Sequence, residues 1–114
     1  METVYITGGA TGIGAATVDK FVSGGDSVVV FDVNSSAMEE LINEFNTSRL
    51  HFFKTDVKSR DEVRRSMSAA VENIGPPEAL FVNAGVQKLQ GIFDMEDEDI
   101  DLIIDVNLKG ALYT

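Results

Sequence analysis

The sequence has no cysteine, no long apolar run and few basic residues, and each shortage excludes a class of protein. Without cysteine there are no disulfide bonds, and the first residues lack the basic region and apolar stretch of a secretory signal, so we expect a cytoplasmic location. No apolar run approaches the roughly 20 residues that a membrane span needs, so no membrane partner is expected. Nine basic residues against nineteen acidic ones give a net charge of −10, which would repel nucleic acid over most of the surface.

The length and composition indicate one folded domain. A chain of 114 residues should bury roughly two thirds of the surface that it exposes when unfolded, which is enough for one core. Hydrophobic residues make up 44% of the chain, as in a globular protein. We therefore predict a single domain over residues 1–114.

Short β-branched runs alternate with amphipathic segments along the chain, which is the order of a βαβα protein. The segment Val28–Phe31 is apolar on both faces, as expected of a parallel strand covered by helices on both sides. Because crossovers between parallel strands are right-handed, we predict a doubly wound parallel sheet with strand order 3-2-1-4. The predicted strands are Thr3–Thr7, Ser27–Phe31, Leu50–Lys54 and Ala79–Asn83.

The helices of this pattern have recognisable starts. Ser36-x-x-Glu39 and Ser59-x-x-Glu62 both match the capping box, in which a hydroxyl and a carboxylate bind the first free N–H groups of a helix. A last helix is predicted from about Asp97 toward the end of the chain.

Four glycines lie within residues 7–14, directly after the apolar run Val4-Tyr5-Ile6. An ordinary strand-to-helix turn is the simpler interpretation. In this context, however, Gly8 and Gly12 would permit a tight turn with a ligand close to the backbone, while Gly14 would let helix and strand pack closely. Free N–H groups at the start of the helix would then attract a pyrophosphate.

Asp32 ends the second predicted strand, eighteen residues after Gly14. A carboxylate at this position accepts hydrogen bonds from the ribose hydroxyls of a dinucleotide. It would also repel a 2′-phosphate, and neither Ala10-Thr11 nor Val33-Asn34 offers a basic side chain to neutralise one. The sequence therefore predicts NAD(H) rather than NADP(H).

Four segments, in the same order along the chain, resemble motifs of the short-chain dehydrogenase/reductase family. They are Thr7-Gly8-Gly9-Ala10-Thr11-Gly12-Ile13-Gly14, Asp56-Val57, Asn83-Ala84-Gly85 and Val106-Asn107-Leu108-Lys109-Gly110. The resemblance implies a Rossmann-type α/β fold in which Asp56 and Val57 lie beside the adenine. It also implies that Asn107 holds a water of the proton relay, as an auxiliary catalytic residue. The cofactor-binding residues that it implies are Gly8, Thr11, Gly12, Ile13, Gly14, Asp32, Val33, Asp56, Val57, Asn83, Ala84 and Gly85.

The resemblance also implies catalytic residues that cannot be placed in residues 1–114. Family members are about twice as long, and a Tyr, a Lys four residues later and a Ser carry out their chemistry. Tyr5 is followed four positions later by Gly9, and Tyr113 only by Thr114, so no Tyr-x-x-x-Lys occurs here. We therefore expect a truncated fold that lacks the catalytic half of the family and is inactive as an isolated chain.

Three functions remain possible. The favoured one is the NAD(H)-binding portion of an oxidoreductase, and the alternative is a cofactor-binding or interaction module without turnover. A flavodoxin-like mononucleotide binder is disfavoured, because it would leave Asp32 and the Asn83-Ala84-Gly85 motif unexplained.

Other polar features have simpler interpretations. The acidic segment 94–101 does not match a calcium loop, because Leu102 and Leu108 stand where Gly and Glu are needed, so a solvated helix start is expected. His51, the only histidine, lies in a predicted strand without Cys or a second His, and it is expected to be structural. Lys88 is interpreted as a solvated surface lysine. No metal site is predicted.

The predicted strand order leaves the fourth strand at an edge of the sheet. Exposed apolar edges recruit partners, and Leu102-Ile103-Ile104 adds apolar surface to the last helix. We therefore expect a homodimer or larger species, formed through the fourth strand or the last helix.

Overall fold

The computed structural model describes all of residues 1–114, in which strands and helices alternate as predicted. The strands are β1 (Thr3–Thr7), β2 (Ser27–Asp32), β3 (Leu50–Lys54) and β4 (Ala79–Val82). The helices are α1 (Gly12–Ser23), α2 (Ser35–Phe45), α3 (Arg60–Asn73), α4 (Asp97–Ile103) and α5 (Ala111–Tyr113), with a 3₁₀ turn at Ile92–Asp94 and a π-helical segment at Ile104–Gly110. None of these helices combines the length and the apolar character that a membrane span requires.

The four strands form one parallel sheet in the order β3-β2-β1-β4, which confirms the predicted fold. In the register of the sheet, Tyr5 of β1 lies between Val29 of β2 and Leu80 of β4. The carboxyl ends of all four strands therefore meet at one edge of the sheet, and this edge carries the site described below.

Two strand ends differ from the prediction. β2 extends one residue further, because Asp32 pairs with Lys54 of β3. β4 stops one residue earlier, at Val82, because the N–H of Asn83 donates to the side-chain hydroxyl of Thr7 instead of continuing the ladder.

Apolar side chains cover both faces of the sheet, as its doubly wound topology requires. On one face, α1 and α2 pack against Val28 and Val30, which are fully buried. On the other face, α3 packs against Val29 and Phe31, which are also fully buried. This alternation explains why every residue from 28 to 31 is apolar.

Neither of the two predicted capping boxes is complete, although half of the one at Ser59 is present at a helix start. The Ser59 hydroxyl accepts the N–H of Glu62 at 3.2 Å, as predicted, although the Glu62 carboxylate accepts the N–H of Asp56 rather than that of Ser59. The prediction at Ser36 is wrong. Asn34 caps α2 by accepting the N–H of Ala37 at 3.0 Å, because its amide oxygen reaches the first turn two residues earlier.

The last helix begins at Asp97, as predicted, but its middle is π-helical from Ile104 to Gly110. Gly110 lies against Val57, where an added Cβ would be 2.7 Å from the Val57 Cγ2 atom. The wider π-helical turn was not predicted, because hydrophobic periodicity does not distinguish it from an α-helical turn.

Candidate cofactor-binding site

The glycine turn between β1 and α1 is tight, as its sequence predicts. Gly8 and Gly12 have φ angles of +69° and +56°, which residues with a side chain rarely adopt. A Cβ on Gly8 would lie 2.8 Å from the Cα of Ala84, so this glycine allows the turn to approach the end of β4. No atom lies within 4 Å of a Cβ built on Gly12, so the turn is open to a ligand there.

Gly14 lies in the first turn of α1 and packs against the glycine turn itself. A Cβ there would lie 2.0 Å from the carbonyl oxygen of Gly8 and 2.8 Å from Nδ2 of Asn83. Gly14 is buried and does not line the cleft described below. Gly14 therefore allows α1 to pack closely against the glycine turn.

The ends of β1 and β4 are joined by hydrogen bonds between Thr7 and Asn83. The Thr7 hydroxyl accepts the N–H groups of Asn83 and Ala84, at 3.0 and 3.1 Å. In return, Nδ2 of Asn83 donates to the carbonyl oxygens of Thr7 and Gly8, at 3.2 and 3.1 Å. The side chains of Thr7 and Asn83 thus hold the start of the glycine turn against the end of β4. The sequence did not indicate this function for Thr7.

Asp32 lies at the end of β2, beside the glycine turn. Its Oδ2 atom accepts the N–H of Ala10 at 3.0 Å, and its Oδ1 atom accepts the N–H of Asn34 at 3.0 Å. The carboxylate is partly exposed and faces the cleft. Each oxygen keeps a second lone pair that a ligand hydroxyl can use.

These strand ends surround a cleft of about 690 Å³. All of the cofactor-binding residues predicted from the sequence line it, except Gly14. Residues that the sequence analysis did not assign to the cofactor also line it, namely Phe31, Thr55, Lys58, Val86, Leu102 and Val106. Thr55 and Lys58 flank the predicted pair Asp56-Val57, so their positions in the chain were the available signal.

The charges in the cleft come from two carboxylates and one ammonium group. The Nζ atom of Lys58 lies 3.8 Å from Oδ2 of Asp56, and both side chains are partly exposed. Asp32, the second carboxylate of the cleft, has no ion-pair partner. No basic side chain therefore lies within ion-pair distance of Asp32, and Lys54, its neighbour in the β2–β3 ladder, does not line the cleft.

The start of α1 meets the requirements of a phosphate group. The first N–H groups of any helix have no partner within the helix, and no side chain caps them at Thr11. They lie next to the open surface of Gly12, where a bound anion could accept them. The turn and the cleft therefore fit the pyrophosphate of a dinucleotide.

The family model of the short chain dehydrogenases matches residues 2–114. The chain belongs to this family. Its similarity to individual members agrees with the match. It is 34% identical over 115 residues to 3beta-hydroxysteroid dehydrogenase 2 of Eggerthella lenta, which covers 98% of this chain and 44% of that protein. It is 36% identical over 111 residues to short-chain dehydrogenase reductase 3a of Arabidopsis thaliana, which covers 96% of this chain and 43% of that protein.

The fold is also that of solved structures of the family. One is the 3-ketoacyl-(acyl-carrier-protein) reductase from Brucella melitensis complexed with NADH, with a TM-score of 0.91 at 27% identity. That alignment covers 98% of this chain and 46% of the reductase. The chain thus spans less than half the length of these short-chain dehydrogenases.

Asn107, the auxiliary residue implied by the family resemblance, lies in the π-helical segment. Its Oδ1 atom accepts the N–H of Val86 at 2.8 Å, and its Nδ2 atom donates to the Val86 carbonyl at 2.8 Å. The Asn107 side chain therefore holds the segment after Gly85, and Val86 in turn lines the cleft. Asn107 itself does not line it.

Other polar residues of the chain lie outside the cleft. Lys88 pairs with Asp99 at 3.2 Å rather than extending freely into solvent. His51 lies on β3, where burial lowers its pKa, and burial raises the pKa of Tyr5, whose hydroxyl donates to the Gly75 carbonyl at 2.6 Å. No three His, Cys, Asp or Glu side chains lie close enough together to hold a metal ion.

Proposed function

We propose that this chain is the NAD(H)-binding portion of an oxidoreductase that transfers hydride between a nicotinamide cofactor and a carbonyl or alcohol substrate. Short-chain dehydrogenases bind nicotinamide cofactors, and this chain belongs to that family. The observation that carries the choice of NAD(H) is the unpaired Asp32 carboxylate beside the glycine turn.

The cleft offers a separate set of groups to each part of a dinucleotide. The uncapped N–H groups that follow Thr11 would hold the pyrophosphate over the open face of Gly12, with Ile13 exposed beside them. Asp32 would accept the hydroxyls of the adenine ribose, with Val33 beside it. The bound cofactor would supply the hydride, and these residues bind and orient it.

The remaining strand ends would hold the two rings of the cofactor. Asp56 and Val57, after β3, would lie beside the adenine. Asn83, Ala84 and Gly85, after β4, would lie on the nicotinamide side, and Asn83 is already held by Thr7. A bound cofactor therefore meets groups whose positions are set before it arrives.

Electrostatic repulsion supports NAD(H) over NADP(H). A 2′-phosphate would lie close to Asp32, and two unit charges about 4 Å apart repel by roughly 4 kcal/mol at the effective dielectric of a protein surface. Neither nearby lysine is placed to offset it, because Lys58 lies 3.8 Å from Asp56 and Lys54, beside Asp32 in the ladder, does not line the cleft. Solvent would screen part of this repulsion, but the remaining interaction would still disfavour a 2′-phosphate.

Titration with NADH and NADPH tests the proposal. We expect NADH to bind more tightly, and Asp32→Ala to reduce the difference between the two cofactors, because the substitution removes both the ribose acceptor and the repelling charge. Glu40→Ala, which removes an exposed carboxylate from α2, should leave the ratio unchanged. Tighter binding of NADPH by the unmodified protein would contradict the proposal.

A module that binds the cofactor without turnover is the second candidate. The feature that favours it is the absence of a Tyr-x-x-x-Lys sequence from residues 1–114. Without a positioned acid, carbonyl reduction loses roughly 10²- to 10⁴-fold from this contribution alone. We therefore propose that these residues by themselves bind the cofactor but do not turn over.

We also propose that the protein is cytoplasmic and self-associates as a homodimer or larger species. Short-chain dehydrogenases typically form oligomers, and two apolar surfaces support this expectation here. β4 is an edge strand whose Leu80 and Val82 side chains are exposed, and α4 continues into the exposed residues Ile104 and Leu108.

A further inference from the structure

The Asp32 carboxylate connects the glycine turn to the start of α2 by hydrogen bonds. It accepts the N–H of Ala10 on one side and the N–H of Asn34 on the other, both at 3.0 Å. Asn34 in turn caps α2 by accepting the N–H of Ala37 at 3.0 Å. A continuous set of hydrogen bonds therefore runs from the turn, through Asp32, to the first turn of α2.

Two hydrogen bonds attach the glycine turn to the end of β2. The N–H of Gly8 donates to the carbonyl of Phe31 at 2.8 Å, and the N–H of Ala10 donates to Asp32. Because the first of these lies at the end of the β1 ladder, Asp32 is the anchor for the part of the turn that approaches Gly12. Ala10 is buried, so little water competes for its N–H.

We propose that Asp32 is a positioning residue for the phosphate-binding turn, in addition to its proposed contact with the ribose. The inference rests on the proposed function, because it concerns how the same cleft is organised for a dinucleotide. Hydrogen bonds to an ionised group are stronger than those between neutral groups, so the loss of the carboxylate frees the Ala10 backbone and loosens the turn. Binding of ligands that never contact Asp32 directly then weakens as well.

The direction of the change in ligand affinity distinguishes a positioning role of Asp32 from a direct contact with the ligand. If Asp32 acted only through the ribose hydroxyls, its removal would leave the affinity for a ligand without those hydroxyls unchanged. Removal of a negative charge near an anion would even strengthen binding. Weaker binding of such a ligand therefore requires that the turn itself has changed.

The experiment compares ADP with 2′,3′-dideoxy-ADP, which keeps the adenine and the two phosphates but has no ribose hydroxyls. Affinities are measured by calorimetric or NMR titration for the unmodified chain, Asp32→Ala, Asp32→Asn and the control Glu40→Ala. The hydrogen exchange rate of the Ala10 amide is measured by NMR in the same proteins without ligand. Glu40→Ala removes one carboxylate without touching the turn, so it controls for the change in net charge.

For Asp32→Ala we expect exchange of the Ala10 amide to be about tenfold faster, which is the change that one charge-assisted hydrogen bond produces. The affinity for dideoxy-ADP should be at least about threefold lower than that of the unmodified chain, because only part of the lost hydrogen-bond energy affects the phosphate site. If Asp32→Ala does not fold, Asp32→Asn makes the same test, because its side chain has one acceptor oxygen for two N–H groups. Glu40→Ala should change neither quantity.

Unchanged Ala10 exchange, or dideoxy-ADP bound as tightly as or more tightly than by the unmodified chain, would overturn the proposal. Failure of the unmodified chain to bind either NADH or ADP would instead contradict the proposed function. The Ala10 measurement needs no ligand, so it tests the positioning role even in that case.

Discussion

Gly14→Ala is the substitution whose effect follows most directly from the structure. Replacing glycine by alanine within a helix ordinarily stabilises a protein by about 1 kcal/mol. Here the new methyl group would lie 2.0 Å from the Gly8 carbonyl oxygen and 2.8 Å from Nδ2 of Asn83. Because the first of these atoms belongs to the backbone, no change of rotamer relieves the contact, and helix and turn must separate by about 1 Å or more to reach ordinary packing distances.

The cost of that separation exceeds the gain in helix propensity. Forcing an extra methyl group into a packed site costs about 1–3 kcal/mol. The separation also breaks the hydrogen bond from Asn83 to the Gly8 carbonyl, which contributes about 1 kcal/mol. We therefore expect Gly14→Ala to lower the free energy of unfolding by about 1–3 kcal/mol, and the melting temperature by about 4 °C or more.

Urea denaturation and thermal melting followed by circular dichroism measure this effect. Gly91→Ala is the matched control, because Gly91 has a φ of −65° and its added Cβ would lie 3.5 Å from the nearest atom, an ordinary contact. It should change stability by less than about 0.5 kcal/mol. A Gly14→Ala protein as stable as the unmodified chain, or more stable, would refute the inference that α1 is held against the turn.

Three further predictions concern turnover, assembly and pH. Residues 1–114 alone should not consume NADH with any of a broad panel of carbonyl substrates, and sustained consumption by purified protein would contradict the expected lack of a positioned acid. Light scattering should detect a dimer or larger species at micromolar concentration. Leu80→Lys should shift it toward monomer if β4 is the interface, and Ile104→Lys if the last helix is, whereas a monomer at high concentration would exclude both. Burial lowers the pKa of His51 from its ordinary 6.5, so the unfolded chain takes up the proton more readily. Stability should therefore fall as the pH decreases through that value, and this contribution should be absent from His51→Gln when the two proteins are compared by denaturation at each pH.

The alternation of strands and helices could be predicted because it depends on local periodicity. The bounds of β1 and β3 agree with the prediction, and the buried run in β2 identified it as an interior strand. The predicted start of α2 was wrong, because two neighbouring residues are both of types that cap helices. Asn34 accepts the N–H of Ala37, whereas a cap at Ser36 would begin the helix two residues later, and the backbone N–H of Asn34 also donates to the Asp32 carboxylate.

The candidate site was predictable as a set of residues but not as a set of contacts. The glycine spacing and the place of Asp32 at a strand end identified the cleft, since the ends of parallel strands meet at one edge. The Thr7 hydroxyl bonds to Asn83 and Ala84 connect positions more than seventy residues apart in the chain. No local pattern in the sequence contains that information.

By itself the sequence predicted the order of the elements and the tight turn after β1, because periodicity and the freedom of glycine act over a few residues. It also predicted the strand order, because crossovers between parallel strands are right-handed. Only the tertiary structure decided which polar groups are already hydrogen-bonded and which apolar side chains are exposed. Asp32 is bonded to two backbone N–H groups, and Asn107 is bonded to both polar atoms of the Val86 backbone. Phe81 points into the core while its neighbour Leu80 is exposed at the edge. These outcomes depend on distances between segments that meet only when the sheet and its helices have packed together.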